Sequence, residues 1–259
     1  MITPTWNHLW YVVYLLFYIA FIAPFLPMMQ RWADGAGGRL LDRLTGGPMR
    51  LMTIVTLPFI FYSLMLDPLF PTTHDLVSDW ANHAHRLTIF VLGYFAAKHA
   101  PFWRSVDRAW KPALALVVLI NTFRLYMRAQ HWDFYVMLHE ETPVMTIVIT
   151  LYAWSFIVML LGFGQRYLNR PSRALTYLTG AVFCYYILHQ TIIVAAGFYL
   201  TQFQLGAWPE FLGLTFITVA SCGAGYEILR RLPGVRPWFG IKSPTQAGKA
   251  LGASQIIAV

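Results

Sequence analysis

Seven apolar runs, each close to the thickness of a bilayer, constrain this chain more than any other feature. A membrane-spanning helix needs about 20 apolar residues, and such runs lie at residues 8–29, 48–70, 83–100, 112–127, 143–164, 175–201 and 209–229. In hydrocarbon every backbone N–H and C=O must find a partner within the chain, so helices or a closed barrel are the only spanning solutions. None of the runs alternates apolar and polar residues as a barrel strand does. The expected fold is an all-α integral membrane bundle of about seven transmembrane helices, five to eight at the limits. The third and fourth runs set those limits, because only residues 87–97 and 112–123 separate their flanking charges. Both must send terminal Arg and Lys side chains toward the headgroups, or form shorter hairpin elements.

Composition agrees with lipid as the solvent. Of 259 residues, 58% are hydrophobic and 12% charged, whereas a soluble domain carries about a quarter charged residues. The net charge of +8 does not point to nucleic acid, because the Lys and Arg residues sit in short segments between the apolar runs. Arg31, Arg39, Arg43 and Arg50 follow the first run; Lys98, Arg104, Arg108 and Lys111 follow the third; Arg166, Arg170 and Arg173 follow the fifth. The tail adds Arg230, Arg231, Arg236, Lys242 and Lys249, while Asp67, Asp75, Asp79, Asp133, Glu140, Glu141 and Glu210 lie on the opposite side. Positive-inside sorting then places the C-terminus in the cytoplasm and the N-terminus outside, in a bacterial-type cytoplasmic (inner) membrane. Residues 1–243 read as one membrane domain and 244–259 as a flexible cytoplasmic tail. Residues 1–29 contain no Lys, Arg, Asp or Glu, so the basic region of a signal peptide is missing. An outside N-terminus without one suits a chain lacking an odd number of preceding spans. Cys184 and Cys222 lie within apolar runs and form no metal-ligand spacing, so no metal is expected.

Polar groups at membrane depth are costly, which makes each a functional-site hypothesis. In Tyr185-Tyr186-Ile187-Leu188-His189-Gln190, both tyrosines share a helix face with His189. At 1.5 Å per residue His189 lies about 24 Å from the cytoplasmic end of its helix, in the outer half of the bilayer. It is either a neutral packed imidazole or a general base, a role imidazole suits near neutral pH. The Asp79-Trp80-Ala81-Asn82-His83-Ala84-His85-Arg86 segment opens the third run. There Asn82, His83 and Arg86 share a face, either as capping of a short helix or as a polar pocket for a sugar or acyl carbonyl. His83 and His85, two apart, do not face one another on a helix, which argues against zinc. His8, between Trp6 and Trp10, either joins an interfacial aromatic belt or lines an outer cavity. Arg124 and Arg128 pair with nearby acids or hold an anionic substrate group. Gly35, Gly37 and Gly38 read as a flexible connector.

These stretches also carry a family likeness. His8-Leu9-Trp10-Tyr11, Asp79 to Ala84, Leu92-Gly93-Tyr94-Phe95 with Phe102-Trp103, Tyr186 to Gln190, and Arg236 to Lys242 recur in order. Over residues 6–243 the chain resembles the membrane-integral acyltransferase-3 family, and within it the glucan-succinylating branch. That resemblance implies an acyltransferase moving an acyl group, such as succinyl or acetyl, from acyl-CoA to a hydroxyl of an exported glycan or lipid-linked sugar. No bound cofactor is implied. It also implies earlier spans carrying an Arg and a His, which nothing before Trp6 supplies. The chain is thus expected to resemble the C-terminal two-thirds of such an enzyme, a fragment or one completed by another chain, and to be inactive alone. In it, His189 is the expected catalytic group, and His8, Asn82, His83, Arg86, Arg124, Tyr186 and Gln190 are the expected substrate-binding residues. The competing expectation is a non-enzymatic transport or flippase-like module.

Overall fold

The computed structural model describes residues 9–130 and 142–241, so His8 and the 244–259 tail lie outside the described residues. The described chain is helical, with no strand among the described residues. Its helices are α1 (Trp10–Ile22), α2 (Leu26–Trp32), α3 (Gly38–Thr45), α4 (Pro48–Thr53), α5 (Leu57–Met65), α6 (Trp80–Ala96), α7 (Ala100–Ala129), α8 (Pro143–Phe163), α9 (Arg173–Leu200) and α10 (Ala207–Leu229). Six stretches are long and apolar enough to cross a membrane: Trp10–Thr45, Pro48–Met65, Ala100–Ala129, Pro143–Leu168, Arg173–Phe203 and Ala207–Leu229. The expected seventh is α6, which has only 17 residues.

Proline chemistry explains the breaks in the first two spans. Pro27 and Pro58 have no N–H to give the carbonyl four residues back. The orphaned Ala23 and Ile54 carbonyls instead accept the N–H of Leu26 and Leu57, tightening Ala23–Phe25 and Ile54–Thr56 into 3₁₀ turns.

Two expected connectors are helical. After a wide turn over Ala33–Gly37, with Gly35 off helical geometry at φ −117°, ψ −112°, α3 continues. It buries Leu41 and Thr45 and carries Arg39 before Leu41 and Arg43 between the two. The basic stretch expected as a loop before Pro112 is the first third of α7. Pro101 in the opening turn suits a helix start, and the following Arg, Lys, Ala and Trp residues propagate it past Pro112. Over 30 residues, α7 is about 45 Å long.

The chain divides into two compact units, Met1–Asn169 and Arg170–Val259. In the first, α7 lays a stripe of Phe102, Val106, Ala109 and Ala113 against Trp154 and Val158 of α8 and Leu51 of α4. With little hydrophobic drive between helices in lipid, close packing of small residues holds them. A Cβ on Gly162 would lie 2.2 Å from Trp110 Cβ, so α7 and α8 approach there only because residue 162 has no side chain. Trp154 Nε1 donates to the Leu51 carbonyl at 2.8 Å, joining α8 to α4. At one end of this unit His99 meets Asp42 at 2.9 Å and Arg166 meets Asp107 at 3.4 Å. At the other end, the 66–79 connection gathers the starts of α1 and α6.

In the second unit α9 packs on α10 through Ala181, Cys184 and Tyr226, and Ile241 of the returning segment closes that core. Gly240 turns the chain at φ +64°, 2.7 Å from Phe183 Cδ1 for any added Cβ. Tyr177 donates to Glu227 at 2.9 Å, and Arg230 pairs with the same carboxylate at 2.7 Å.

Candidate functional site

Two polar networks radiate from the first turns of α6. The first is buried against α1, where Tyr14 and Tyr18 lie one turn apart and are both inaccessible to solvent. The Tyr14 hydroxyl donates its one proton to Asp79 Oδ2 at 2.7 Å, with the Asp75 carbonyl oxygen also 2.9 Å from it. Asp79 is fully buried and also accepts from Asn82 Nδ2 at 2.8 Å and from the Thr73 amide at 3.2 Å. Its side chain makes no capping bond to the α6 backbone, because the hydroxyl, the amide and the 66–79 loop already occupy its oxygens. Burial pushes the Asp79 carboxyl up, but these hydrogen bonds to the charged form outweigh it and hold the group below the usual carboxylate range.

His83 joins the same network. Nε2 lies 2.9 Å from the Leu76 carbonyl, which requires a proton on that nitrogen, so Nδ1 accepts from the Tyr18 hydroxyl at 2.8 Å. The ring stacks on Tyr14 with centroids 4.4 Å apart. His74, in the left-handed region at φ 56°, sets its ring 4.4 Å from that of Trp10. The 66–79 loop is thereby fixed from both sides.

The second network faces a cleft of about 390 Å³ between α5, α6 and α8, lined by Phe59, Ser63, Asp67, Thr72, Asn82, His85, Arg86 and the Ile149–Ile157 stretch. Asn82 links the two networks: its amide nitrogen serves Asp79, and its oxygen accepts from Arg86 Nε at 3.0 Å. Arg86 also lies over the Trp10 ring, 5.8 Å from its centroid. Across the cleft, His85 Nε2 donates to Asp67 Oδ1 at 3.2 Å. Its ring stacks on Phe59 at 6.0 Å and meets the Tyr62 edge at 5.4 Å. An acceptor on Nε2 leaves Nδ1 as the lone-pair nitrogen of the neutral ring. An oriented imidazole and a held guanidinium therefore share one cleft, a pair able to take a proton and to stabilise an oxyanion.

Of the residues singled out from sequence, Asn82, His83 and Arg86 come together, though His83 turns inward to Tyr18 instead of lining the cleft. Arg124 is exposed on α7 and is not among the cleft residues. His8 lies outside the described residues. His189, Tyr186 and Gln190 belong to the second unit. There His189 Nδ1 lies 2.7 Å from the Tyr186 carbonyl and 3.2 Å from that of Tyr185. Those acceptors fix the proton on Nδ1 and make Nε2 the lone-pair nitrogen.

Sequence reasoning missed Tyr14, Tyr18, Asp67 and the catalytic potential of His85. Two tyrosines at i, i+4 in an otherwise apolar helix were the available signal for the first pair. His85 was weighed only as a metal ligand, and its carboxylate partner lies 18 positions away.

A profile of the Acyltransferase domain family, acyltransferase-3, matches residues 2–227. Among curated proteins, the chain is similar to glucans biosynthesis protein C of Escherichia coli. In one strain the identity is 29% over 151 residues, 57% of this chain and 37% of the relative. In another it is 32% over 122 residues, 47% of this chain and 29% of the relative. The matches thus span only about a third of those relatives' length. No solved structure matches the chain.

Proposed function

The chain belongs to the acyltransferase-3 domain family, and on that premise we propose that it serves transfer of an acyl group, succinyl or acetyl in kind, from a cytoplasmic donor such as acyl-CoA to a hydroxyl of an exported glycan or lipid-linked sugar. The supporting observation is the one cleft lined by both the His85–Asp67 pair and Arg86. In this reading the acceptor hydroxyl gives its proton to His85 Nδ1 as its oxygen attacks the thioester carbonyl. Asp67, bonded to the other ring nitrogen, holds the imidazole in the required tautomer and orientation. The carbonyl oxygen becomes an oxyanion facing the Arg86 guanidinium, which Asn82 has already oriented. Collapse breaks the C–S bond, forms the ester and returns the proton to the departing thiolate. His189, with its Nδ1 proton committed to the helix backbone, is kept as the candidate base of the second unit taken by itself.

The charge pattern supports a cytoplasmic location for the end that carries the Asp42–His99 and Asp107–Arg166 pairs. The 66–79 end then faces the exported acceptor across a bacterial inner membrane. A chromosomal His85→Gln substitution tests the reading. Acyl ester content of exported glycans should fall at least tenfold while glycan export and protein level hold. Export lost with acylation retained would point to transport, and no change in either would remove His85 from the chemistry.

A further inference from the structure

A groove of about 430 Å³ runs between α3 and α6 in the first unit and shares no residue with the His85 cleft. Leu40 and Leu44 of α3 line it on one side, Val91 and Phe95 of α6 on the other. Trp32 also lines it, its ring edge-on to that of Phe95 with centroids 5.1 Å apart. The lining is hydrocarbon and aromatic ring apart from Thr88, whose hydroxyl lies 3.1 Å from that of Tyr62. It offers a ligand almost nothing to hydrogen-bond. The rim is different. On α3, Arg39 and Arg43 lie one turn apart in the stripe beside Leu40 and Leu44. Both are exposed, and neither has a carboxylate within ion-pair distance among the described residues. Asp42, the one acid of α3, is taken by His99 at 2.9 Å. Arg50 brings a third cation near, donating to the Arg43 carbonyl at 3.3 Å.

We propose that the groove holds one acyl tail of an anionic phospholipid, with the lipid phosphate against Arg39 and Arg43. An apolar channel beside a cluster of cations matches an amphiphile with a negative head, and basic clusters at a membrane surface attract such headgroups. Guanidinium groups suit the phosphate, whose oxygens their planar fork can meet two at a time. Size argues against a packed helix as the occupant. Two turns of a helix about 10–12 Å across enclose about 1,000 Å³, more than twice the groove. A zwitterionic lipid could place its tail equally well but would gain less from the rim. The site holds a resident lipid and stands whether or not the acyl-transfer reading does.

The test places the full chain in nanodiscs of equal phosphatidylglycerol and phosphatidylcholine and counts the lipids retained on release by native mass spectrometry. The unsubstituted chain should retain phosphatidylglycerol in preference. Arg39→Gln with Arg43→Gln should lower that retention at least fivefold and change phosphatidylcholine less than twofold. Arg108→Gln with Lys111→Gln, which removes as much charge outside the groove, should change either lipid less than twofold. A phosphatidylglycerol carrying a diazirine midway along one tail should label α3 and α6 on photolysis. Leu44→Trp, which fills the groove from an exposed position, should cut that label at least fivefold with helical circular dichroism unchanged. Absence of the preference, or equal loss in both double variants, reduces the effect to bulk charge and overturns the proposal. So does label confined to other helices, or label on α3 and α6 that Leu44→Trp leaves intact. A dimer mass that Leu44→Trp abolishes would give the groove to a second copy of the chain instead.

Discussion

Arg86 reaches its cleft with Nε held 3.0 Å from the Asn82 side-chain oxygen, and the amide nitrogen of that same Asn82 lies 2.8 Å from Asp79. One small amide therefore connects a buried carboxylate to an exposed guanidinium. Orientation reaches the cleft from the protein interior.

Asn82→Leu keeps the volume and removes both bonds. Glycan acylation should fall at least tenfold, and thermal unfolding in detergent should show a loss of about 1–3 kcal/mol, since Asp79 loses a donor while staying buried. Arg86→Lys keeps the charge without the planar fork and should reduce acylation several-fold with no change in melting temperature.

Tyr14→Phe tests the other side of Asp79. Loss of a buried hydroxyl bonded to a carboxylate should cost about 1.5–3 kcal/mol, read from the same melts. Asp79 also predicts a pH dependence. Its folded carboxyl titrates below the unfolded value of about 3.9, so its contribution to stability is present above that value and fades as pH falls through the folded one. Asp79→Asn should flatten that acid limb of the stability curve relative to the unsubstituted protein.

Much of this was legible in the sequence. The apolar runs located every long helix, because the cost of unpaired backbone in lipid is set by local composition. The helical stretch from Ala100 through Lys111 was not legible, since basic residues flanking a bilayer look alike in loop and helix. The site was legible where its members share one helix, as Asn82, His83 and Arg86 do. It was obscure where they come from α1 and the 66–79 loop, because nothing local announces that Tyr14 will meet a residue 65 positions away.

Gly162 gives a packing prediction. Gly162→Leu would place its side chain against Trp110 Cβ, which cannot swing aside. The overpacking should cost about 1–3 kcal/mol. A fall in melting temperature with cleft chemistry scaled only by the folded fraction is the expected pattern.

The two imidazoles have separable signatures. Asp67→Asn leaves His85 in place and removes the carboxylate that orients its ring, so acylation should fall. His189→Gln should also lower acylation, and by the same factor whether residue 67 is Asp or Asn if each ring acts on its own. Additive losses in the double variant, measured as glycan ester content, would confirm independence.

The flanks of α7 bear on the membrane itself. Between Lys111 and Arg124 its lipid-facing surface offers Leu114, Val118, Leu119 and Phe123, a band of 12 residues or about 18 Å against a hydrocarbon slab of about 30 Å. Snorkelling of the two cations recovers part of that gap, and a thinner bilayer or a neighbouring helix accommodates the rest. Wherever the bilayer thins to such a band, the barrier between its two faces shortens before any chemistry begins.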